Sequence, residues 1–104
     1  KGRMLYMQFI TIKGDTAVLA VNGNYITTRV KAIKAEFNTA RQNGCTKLLV
    51  DFQHTTLLDS TGISQLCDFR QLVQPGNFSA RNAHGRVLTV LQDSMLDSWL
   101  TDRG

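Results

Sequence analysis

The densest group of polar side chains is the run Asp59-Ser60-Thr61-Gly62, which stands between an apolar segment and a helical pattern. In one interpretation, Asp59 or Ser60 is an N-cap whose oxygen accepts a hydrogen bond from a free amide of the first helical turn. In the other, the Ser60 hydroxyl is a phosphate acceptor, because a helix N-terminus favours negative charge. Phosphorylation adds about −1.5 to −2 charges, which Asp59 would repel, so the local surface would change strongly. The local pattern leaves both interpretations open.

A second chemistry is suggested by Asp51, which ends the predicted strand eight residues before Asp59. A strand that ends in Asp suggests an alternative, a small enzyme in the manner of aspartate-centred phosphotransferases, in which Asp51 and Asp59 hold a metal ion. The chain is short and has no obvious Lys or Thr partner at a later strand end. We therefore expect a non-enzymatic domain, with no catalytic residue, no metal ligand and no cofactor.

The remaining reactive side chains match no catalytic or metal-binding motif. The sequence contains no phosphate-binding loop, no glycine-rich dinucleotide motif, no HExxH and no GxSxG. Cys45 and Cys67 lie outside any CxxC pair, which predicts reduced thiols, with Cys67 buried on a helix face. His54 and His84 each fall in a predicted loop, where surface histidines are the simplest interpretation.

Hydrophobic periodicity predicts strands alternating with helices in a single α/β domain. Residues 22–24 are predicted to break a strand, and residues 53–58 are predicted to form a short loop. Thr27 or Thr28 is predicted to cap the first helix, and Gly44 is predicted to end it. The predicted strands cover residues 4–12, 16–21, 47–52 and 78–82, and the predicted helices cover 28–43, 60–74 and 85–100. The order β-β-α-β-α-β-α predicts a small mixed sheet of about four strands with three or more helices.

Composition is that of an ordinary globular domain, with 104 residues, 42% hydrophobic and 19% charged. We expect one domain over residues 1–104, and Lys1-Gly2-Arg3 ahead of Met4 is interpreted as a remnant of expression. No apolar run approaches the roughly 18 residues that cross a bilayer, and no secretory signal pattern is found. These observations predict a cytoplasmic protein without membrane insertion.

Charge is distributed unevenly around a net value of +4. Residues 1–50 carry eight basic and two acidic side chains, whereas residues 51–104 carry four basic and six acidic ones. A basic half favours an anionic partner, such as nucleic acid, a membrane surface or an acidic protein. No zinc-finger spacing, aromatic-flanked basic ribbon or Lys/Arg block accompanies it, so no nucleic-acid partner is expected.

The stretch Lys47–Gln71, KLLVDFQHTTLLDSTGISQLCDFRQ, resembles the core of STAS domains. This family includes bacterial anti-sigma factor antagonists and the C-terminal domains of sulfate transporters. The shared pattern is a strand ending in Asp, a short loop, and D-S-[ST]-G-[LI] at a helix start. The segments Val21–Asn24 and Phe78–Leu96 are similar to the family's earlier strand end and its late strand, loop and helix.

The resemblance implies a regulatory function in bacterial transcription and signal transduction. In antagonists, the Ser after the motif Asp is phosphorylated by a partner serine kinase that is also an anti-sigma factor, and a serine phosphatase restores the unphosphorylated, binding-competent form. Here that residue is Ser60, with Thr61 a less favoured acceptor. The implied docking face comprises Gly23, Asn24, Tyr25, Asp59, Ser60, Thr61, Gly62 and Ile63.

Three features depart from the antagonist pattern, and one of them is the turn Gln74-Pro75-Gly76 after the second helix, which is shorter than usual. Asn24 and Tyr25 stand after Gly23, where the family usually has acidic residues, and the predicted first helix is unusually basic. The alternative function is therefore a constitutive STAS subunit of a stressosome-like scaffold or of a lipid- or anion-transport ABC assembly. The sequence also leaves open whether the domain forms a homodimer through an exposed strand.

Overall fold

A computed structural model describes residues 4–101, and the interpretation of Lys1–Arg3 lies outside the described residues. Within residues 4–101, seven strands, three α-helices and a short 3-10 helix follow one another. They are β1 (Met4–Tyr6), β2 (Ile10–Lys13), β3 (Thr16–Ala20), β4 (Gly23–Tyr25), α1 (Thr27–Gln42), β5 (Lys47–Asp51), β6 (Thr55–Leu58), α2 (Ser60–Leu72), β7 (Phe78–Arg81), α3 (Gly85–Asp93) and the 3-10 helix Asp97–Trp99.

The main sheet has five strands in the order β1-β2-β3-β5-β7, and β4 and β6 form a separate parallel pair. β1, β2 and β3 are antiparallel neighbours, whereas β5 is parallel to both β3 and β7. The predicted mixed α/β class is confirmed, with one strand more in the main sheet than the pattern indicated. β5 lies inside the sheet between β3 and β7, and the chain that leaves its carboxyl end leads to β6 and then to the polar cluster.

The core lies between one face of this sheet and helices α1 and α2. Its sheet side consists of alternate residues of three neighbouring strands, Ile10, Ile12, Ala17, Leu19, Leu48 and Val50. Its helix side includes Ile33, Phe37, Leu66 and Phe69, and the rings of Phe37 and Phe69 stack with centroids 4.0 Å apart. Because both helices share this core, packing fixes α1 and α2 side by side over the sheet.

The predicted strand over residues 4–12 is instead two strands, β1 and β2. The amides of Phe9 and Ile10 both donate to Glu36 Oε1 of α1, at 2.8 and 2.9 Å. The amide of Met7 donates to the carbonyl of Ile10 at 2.9 Å, which turns the chain locally. The break therefore depends on a helix side chain that is 26 residues distant from Ile10.

Two segments that were predicted to be irregular form the parallel pair β4–β6. Asn24 is in register with Leu57 and Tyr25 with Leu58, and the amide of Gly23 donates to the carbonyl of His54 at 2.9 Å. The predictions of a plain strand break at 22–24 and of a loop at 53–58 are thus wrong in part. Each strand is too short to show periodicity, and its pairing partner is a segment distant in the chain.

The predicted end of α1 agrees with the structure, whereas the predicted end of the last helix does not. After α1, the amides of Gly44 and Cys45 donate to the carbonyls of Arg41 and Ala40, and Gly44 has a φ of 92°, as expected for a left-handed residue that ends a helix. The predicted helix over 85–100 stops at Asp93 because Met95 adopts a φ of 60°. The chain then continues into the 3-10 helix, where Trp99 packs edge-on against Phe78.

Candidate partner-binding and phosphorylation site

Asp59 joins the N-termini of two helices. Its Oδ1 accepts from the amide of Gly62, at 2.9 Å, which makes Asp59 the N-cap of α2. Its Oδ2 accepts from the amide of Thr27, the first residue of α1, at 3.2 Å. The predicted cap by Thr27 or Thr28 is wrong, because Ile26 occupies the cap position of α1 and has no side chain that could accept. Asp59, 32 residues later, takes over this role.

Gly62 permits the close approach that brings these two N-termini together. Gly62 is buried, and a Cβ on it would lie 2.9 Å from the carbonyl oxygen of Tyr25 and 2.8 Å from Leu58 Cδ1. The same Tyr25 carbonyl accepts from the amide of Asp59 at 3.2 Å. A larger residue at 62 would therefore separate α2 from the end of β4, so the Gly of the motif is explained by packing.

Ser60 and Thr61 occupy different environments although they are neighbours. Ser60 is exposed at the first position of α2. Thr61 is half-buried, and its Oγ1 lies 2.8 Å from Oγ1 of Thr27. The first amides of a helix have no carbonyl partner within the preceding turn, so the Ser60 hydroxyl lies at the positive end of α2, where the amide of Gly62 already donates to Asp59. Sequence reasoning had assigned Thr27 only as a cap and did not connect it with Thr61.

Tyr25 lies inside the domain. Its hydroxyl donates to Oε1 of Gln65 at 2.6 Å, and Nε2 of Gln65 donates to the carbonyl of Val30 at 2.7 Å. Burial raises the pKa of Tyr25, so the phenol stays neutral and can donate in this network. The network links β4, α2 and α1 under the polar cluster. Tyr25 therefore supports the predicted docking face from below and does not contribute surface to it.

The other residues of the predicted docking face converge at this end of the domain. Asn24 is exposed and accepts at Oδ1 from the Thr56 hydroxyl at 3.3 Å, whereas Gly23 is half-buried at the start of β4. Ile63 is half-buried and packs against the core. The structure thus brings Gly23–Tyr25 next to Asp59–Ile63, through the β4–β6 pairing. Whether these residues contact a partner stays a prediction.

Asp51, the other carboxylate considered, has partners of its own. It accepts from Asn82 Nδ2 at 2.9 Å and from the amide of Gln53 at 3.0 Å, and it lies 3.6 Å from Arg81. Burial by itself would raise the pKa of Asp51, but these hydrogen bonds and the Arg81 charge hold it below its usual value. The carboxylate of Asp51 therefore connects the end of β5 to the end of β7, whereas the carboxylate of Asp59 connects the N-termini of α1 and α2.

Nothing in the described part of the chain adds a metal site or a membrane span. Among residues 4–101, no group of three His, Cys, Asp or Glu side chains is placed to hold a metal ion. Within the same residues, no helix has the length and apolar character to cross a bilayer. Cys45 is a buried free thiol whose pKa is raised by burial, and Cys67 is half-buried, which corrects its predicted full burial.

A groove between α1 and α2 begins beside the polar cluster, and sequence reasoning did not anticipate it. It has a volume of about 320 Å³. Its lining consists of Val30, Lys34, Asn38, Thr61, Ser64, Gln65, Asp68, Phe69 and Leu72. The signal in the sequence was the basic character of the first helix together with Leu72, an apolar residue in the last turn of α2. Only the packing of the two helices places these residues on opposite walls.

Comparison with known proteins decides the family. The family model described as STAS domain matches residues 8–101. The chain belongs to the STAS domain family. No match is found among curated protein sequences.

Two solved structures have a similar fold. The anti-sigma factor antagonist SpoIIAA in its unphosphorylated form is similar with a TM-score of 0.73 and 20% identity, over 100% of this chain and 89% of the other. The phosphorylated form of SpoIIAA, a Bacillus cell fate determinant, gives a TM-score of 0.66 at 20% identity, over 100% of this chain and 92% of the other. These values show that this STAS domain shares the fold of SpoIIAA.

Proposed function

We propose that this STAS domain is a non-enzymatic regulatory binding module, an anti-sigma factor antagonist that is switched by phosphorylation of Ser60. The observation that carries the proposal is the exposed hydroxyl of Ser60 at the first position of α2, directly after the capping Asp59. The likeness to SpoIIAA, whose solved structures include unphosphorylated and phosphorylated forms, supports it through the shared fold. The partners are a serine kinase that acts as the anti-sigma factor and a serine phosphatase, all in the cytoplasm.

Ser60 is the better acceptor of the two adjacent hydroxyls. The Thr61 hydroxyl is half-buried and already paired with Thr27, so a kinase would have to break a 2.8 Å contact to reach it. Ser60 is exposed, and Asp59 rather than Ser60 supplies the helix cap. Among the described residues the Ser60 side chain has no hydrogen-bond partner, so its phosphorylation breaks no bond seen in residues 4–101.

The expected effect of phosphorylation is electrostatic. A phosphate on Ser60 adds about −1.5 to −2 charges beside the Asp59 carboxylate. The amides at the start of α2 and the helix dipole favour the added charge, so the domain itself tolerates it. A partner that docks over Ser60 meets a strongly negative and bulkier surface instead of a small hydroxyl. Release of that partner follows from repulsion and lost fit, with the fold unchanged.

A kinase assay tests the proposal. The protein, its Ser60→Ala variant and its Thr61→Val variant are incubated with ATP and the anti-sigma-type serine kinase encoded next to its gene, and the modified residue is mapped by mass spectrometry. We expect labelling of the natural protein and of Thr61→Val, but not of Ser60→Ala. Label confined to other residues, or no label from a kinase active on its own substrate, would contradict the proposal.

Binding measurements complete the test. Ser60→Ala should bind the kinase constitutively, with little loss of stability because Asp59 remains the cap. Ser60→Asp should weaken binding only partly, since one carboxylate carries less charge than a phosphate. If Ser60→Ala fails to fold, the role of Ser60 is structural and the proposal falls.

A constitutive STAS subunit of a scaffold or of an ABC-type transport assembly is the second candidate. It is favoured by the basic α1 and by Asn24, which stands where antagonists usually have an acidic residue. Co-purification with a ring scaffold or a transport ATPase, unchanged by Ser60→Asp, would support this alternative over the switch. A homodimer would appear as a doubled mass when the isolated domain is measured in solution.

A further inference from the structure

Thr61 shares with Ser60 two properties of a phosphate acceptor. The two hydroxyl residues are the first and second of α2, so both lie at the positive end of this helix. Thr61 is half-buried rather than buried, and it lines the groove between α1 and α2. Burial and electrostatics therefore do not by themselves exclude a kinase from Thr61.

The difference between the two hydroxyls is a contact with α1. Oγ1 of Thr61 lies 2.8 Å from Oγ1 of Thr27. Oγ1 of Thr27 also lies 3.4 Å from Oδ2 of Asp59, the oxygen that accepts from the Thr27 amide at 3.2 Å. Among residues 4–101, the Ser60 side chain forms no such bond. Thr61, Thr27 and Asp59 thus form one hydrogen-bonded chain that does not include Ser60.

This hydrogen-bonded chain has one direction. A carboxylate only accepts hydrogen bonds, whereas a hydroxyl has a single proton to donate. Because Thr27 donates its proton to Asp59, its oxygen can only accept from Thr61. The Asp59 carboxylate is in turn held by the amides of Thr27 and Gly62. The proton of the Thr61 hydroxyl therefore points at an acceptor that both helices hold in place.

Phosphoryl transfer requires an acceptor hydroxyl that can reorient. Its oxygen forms a bond to the γ-phosphorus of ATP, the bond from this phosphorus to the oxygen that bridges to the β-phosphate breaks, and ADP leaves. The hydroxyl proton passes to a base of the kinase. The acceptor must turn its oxygen toward ATP and its proton toward that base. Thr61 can do so only after its contact with Thr27 is broken.

We infer that Thr27 is the specificity-determining residue of the phosphorylation site, which restricts the kinase to Ser60 by holding the hydroxyl of Thr61. The inference deepens the proposed function and rests on it for the kinase. It places the choice between two adjacent hydroxyls of α2 in a side chain of α1, 34 residues from Thr61. The competing explanation is geometric: successive residues of a helix are rotated by about 100°, which could alone keep Thr61 away from the kinase.

Phosphosite mapping of Thr27 variants separates the two explanations. Thr27→Val keeps the β-branched shape and the backbone amide that donates to Asp59, but it removes the hydroxyl. Each variant is incubated with ATP and the serine kinase encoded next to its gene, and mass spectrometry gives the ratio of phosphate on Thr61 to phosphate on Ser60. We expect this ratio to rise about fivefold in Thr27→Val, the factor that corresponds to one ordinary hydrogen bond. Because both sites lie on one molecule, the ratio does not depend on the fraction of protein that is folded or bound.

Two matched variants and one background locate the effect. Thr27→Ser restores the hydroxyl and should restore the natural ratio. Thr28→Val makes the same change at the next, exposed position of α1 and should leave the ratio unchanged. In the Ser60→Ala background, which removes the competing acceptor, Thr27→Val should produce label on Thr61, whereas Ser60→Ala alone should have none.

Nuclear magnetic resonance reports the contact without a kinase. Three-bond couplings from the backbone nitrogen and carbonyl carbon to Cγ2 of Thr61 measure its χ1 rotamer. We expect a single rotamer in the natural protein and in Thr27→Ser, and averaging between rotamers in Thr27→Val. Averaging already in the natural protein would show that Thr27 does not hold the Thr61 hydroxyl and would overturn the inference.

Each outcome of the kinase assay decides the inference. Label on Ser60 in every variant that retains it, with no rise on Thr61 in Thr27→Val, would overturn the inference and leave the switch at Ser60 intact. A similar rise in Thr28→Val or in Thr27→Ser would assign the effect to a loosened helix start and would overturn it as well. Absence of label on Ser60 in the natural protein, from a kinase active on its own substrate, would refute the proposed function, and the inference would fall with it.

Discussion

Replacement of Asp59 should destabilise two helices at once. Its carboxylate accepts from the amide of Gly62 in α2 and from the amide of Thr27 in α1, at 2.9 and 3.2 Å. Asp59→Ala removes both acceptors. Asp59→Ser keeps a short hydroxyl that can still cap its own helix but does not extend to Thr27. The pair of variants therefore separates the cap of α2 from the connection to α1.

The magnitudes follow from the two backbone hydrogen bonds, because the further bond from the Thr27 hydroxyl to Oδ2 is 3.4 Å long and exposed. Loss of an N-cap costs about 1 kcal/mol. A hydrogen bond that a charged group accepts contributes roughly 1.5–3 kcal/mol when well formed. The Thr27 bond is long and exposed, so we take about 1 kcal/mol for it, below that range. Asp59→Ala should then lose about 2 kcal/mol and Asp59→Ser about half of this value.

Urea unfolding monitored by Trp99 fluorescence measures these losses, because Trp99 is the single tryptophan and is buried. Amide hydrogen exchange of Thr27 and Thr28 gives a local readout, which should speed up in both variants. Equal losses in Asp59→Ala and Asp59→Ser would show that the cap of α2 contributes nothing, whereas an Asp59→Ser variant as stable as the natural protein would show that the Thr27 bond contributes nothing. A loss below about 0.3 kcal/mol in Asp59→Ala, within the usual range of surface substitutions, would refute the whole argument.

Three further predictions concern other residues. Gly62→Ala should destabilise the domain by roughly 1–3 kcal/mol in urea unfolding, because the new Cβ would lie 2.9 Å from the Tyr25 carbonyl. Met95→Gly should stabilise it by about 1 kcal/mol, because Met95 holds a left-handed φ of 60° that glycine adopts without a Cβ clash. Asp51→Asn should make the stability of the domain less sensitive to acid. The pKa of Asp51 in the folded state lies below its usual value of 3.8, so the carboxylate stabilises the fold at pH values above 3.8. This stabilisation is lost as the pH falls through the lower pKa of the folded state.

Controls accompany these three variants. Ser64→Ala, at an exposed position of α2, isolates the helix-propensity gain that Gly62→Ala includes. Met95→Ala keeps the Cβ, so a stability equal to that of Met95→Gly would show that φ is not the cause. Asp93→Asn, at an exposed site, is compared with Asp51→Asn from pH 7 to pH 2, and parallel pH profiles would contradict the role assigned to Asp51.

Much of the site was predictable because its signals are local. The Asp59–Gly62 run, the apolar strand before it and the helical periodicity after it lie within 25 residues, which suffices to predict a helix start and an exposed acceptor. The end of α1 at Gly44 was predictable for the same reason. The assignment of Thr27 as a cap failed because the acceptor for its amide is Asp59, 32 residues away.

The sequence by itself determined the α/β class, the family resemblance and the position of Ser60 at a helix start, since these depend on periodicity and on neighbours in the chain. Tertiary structure alone decided the rest. The split of the first strand requires Glu36 of α1, and the burial of Tyr25 requires Gln65 of α2. The groove beside Lys34 exists only because α1 and α2 pack on one sheet face. Hydrogen bonds and contacts between residues 26 to 40 positions apart leave no periodic trace in the sequence, so folding must bring them together before they can be recognised.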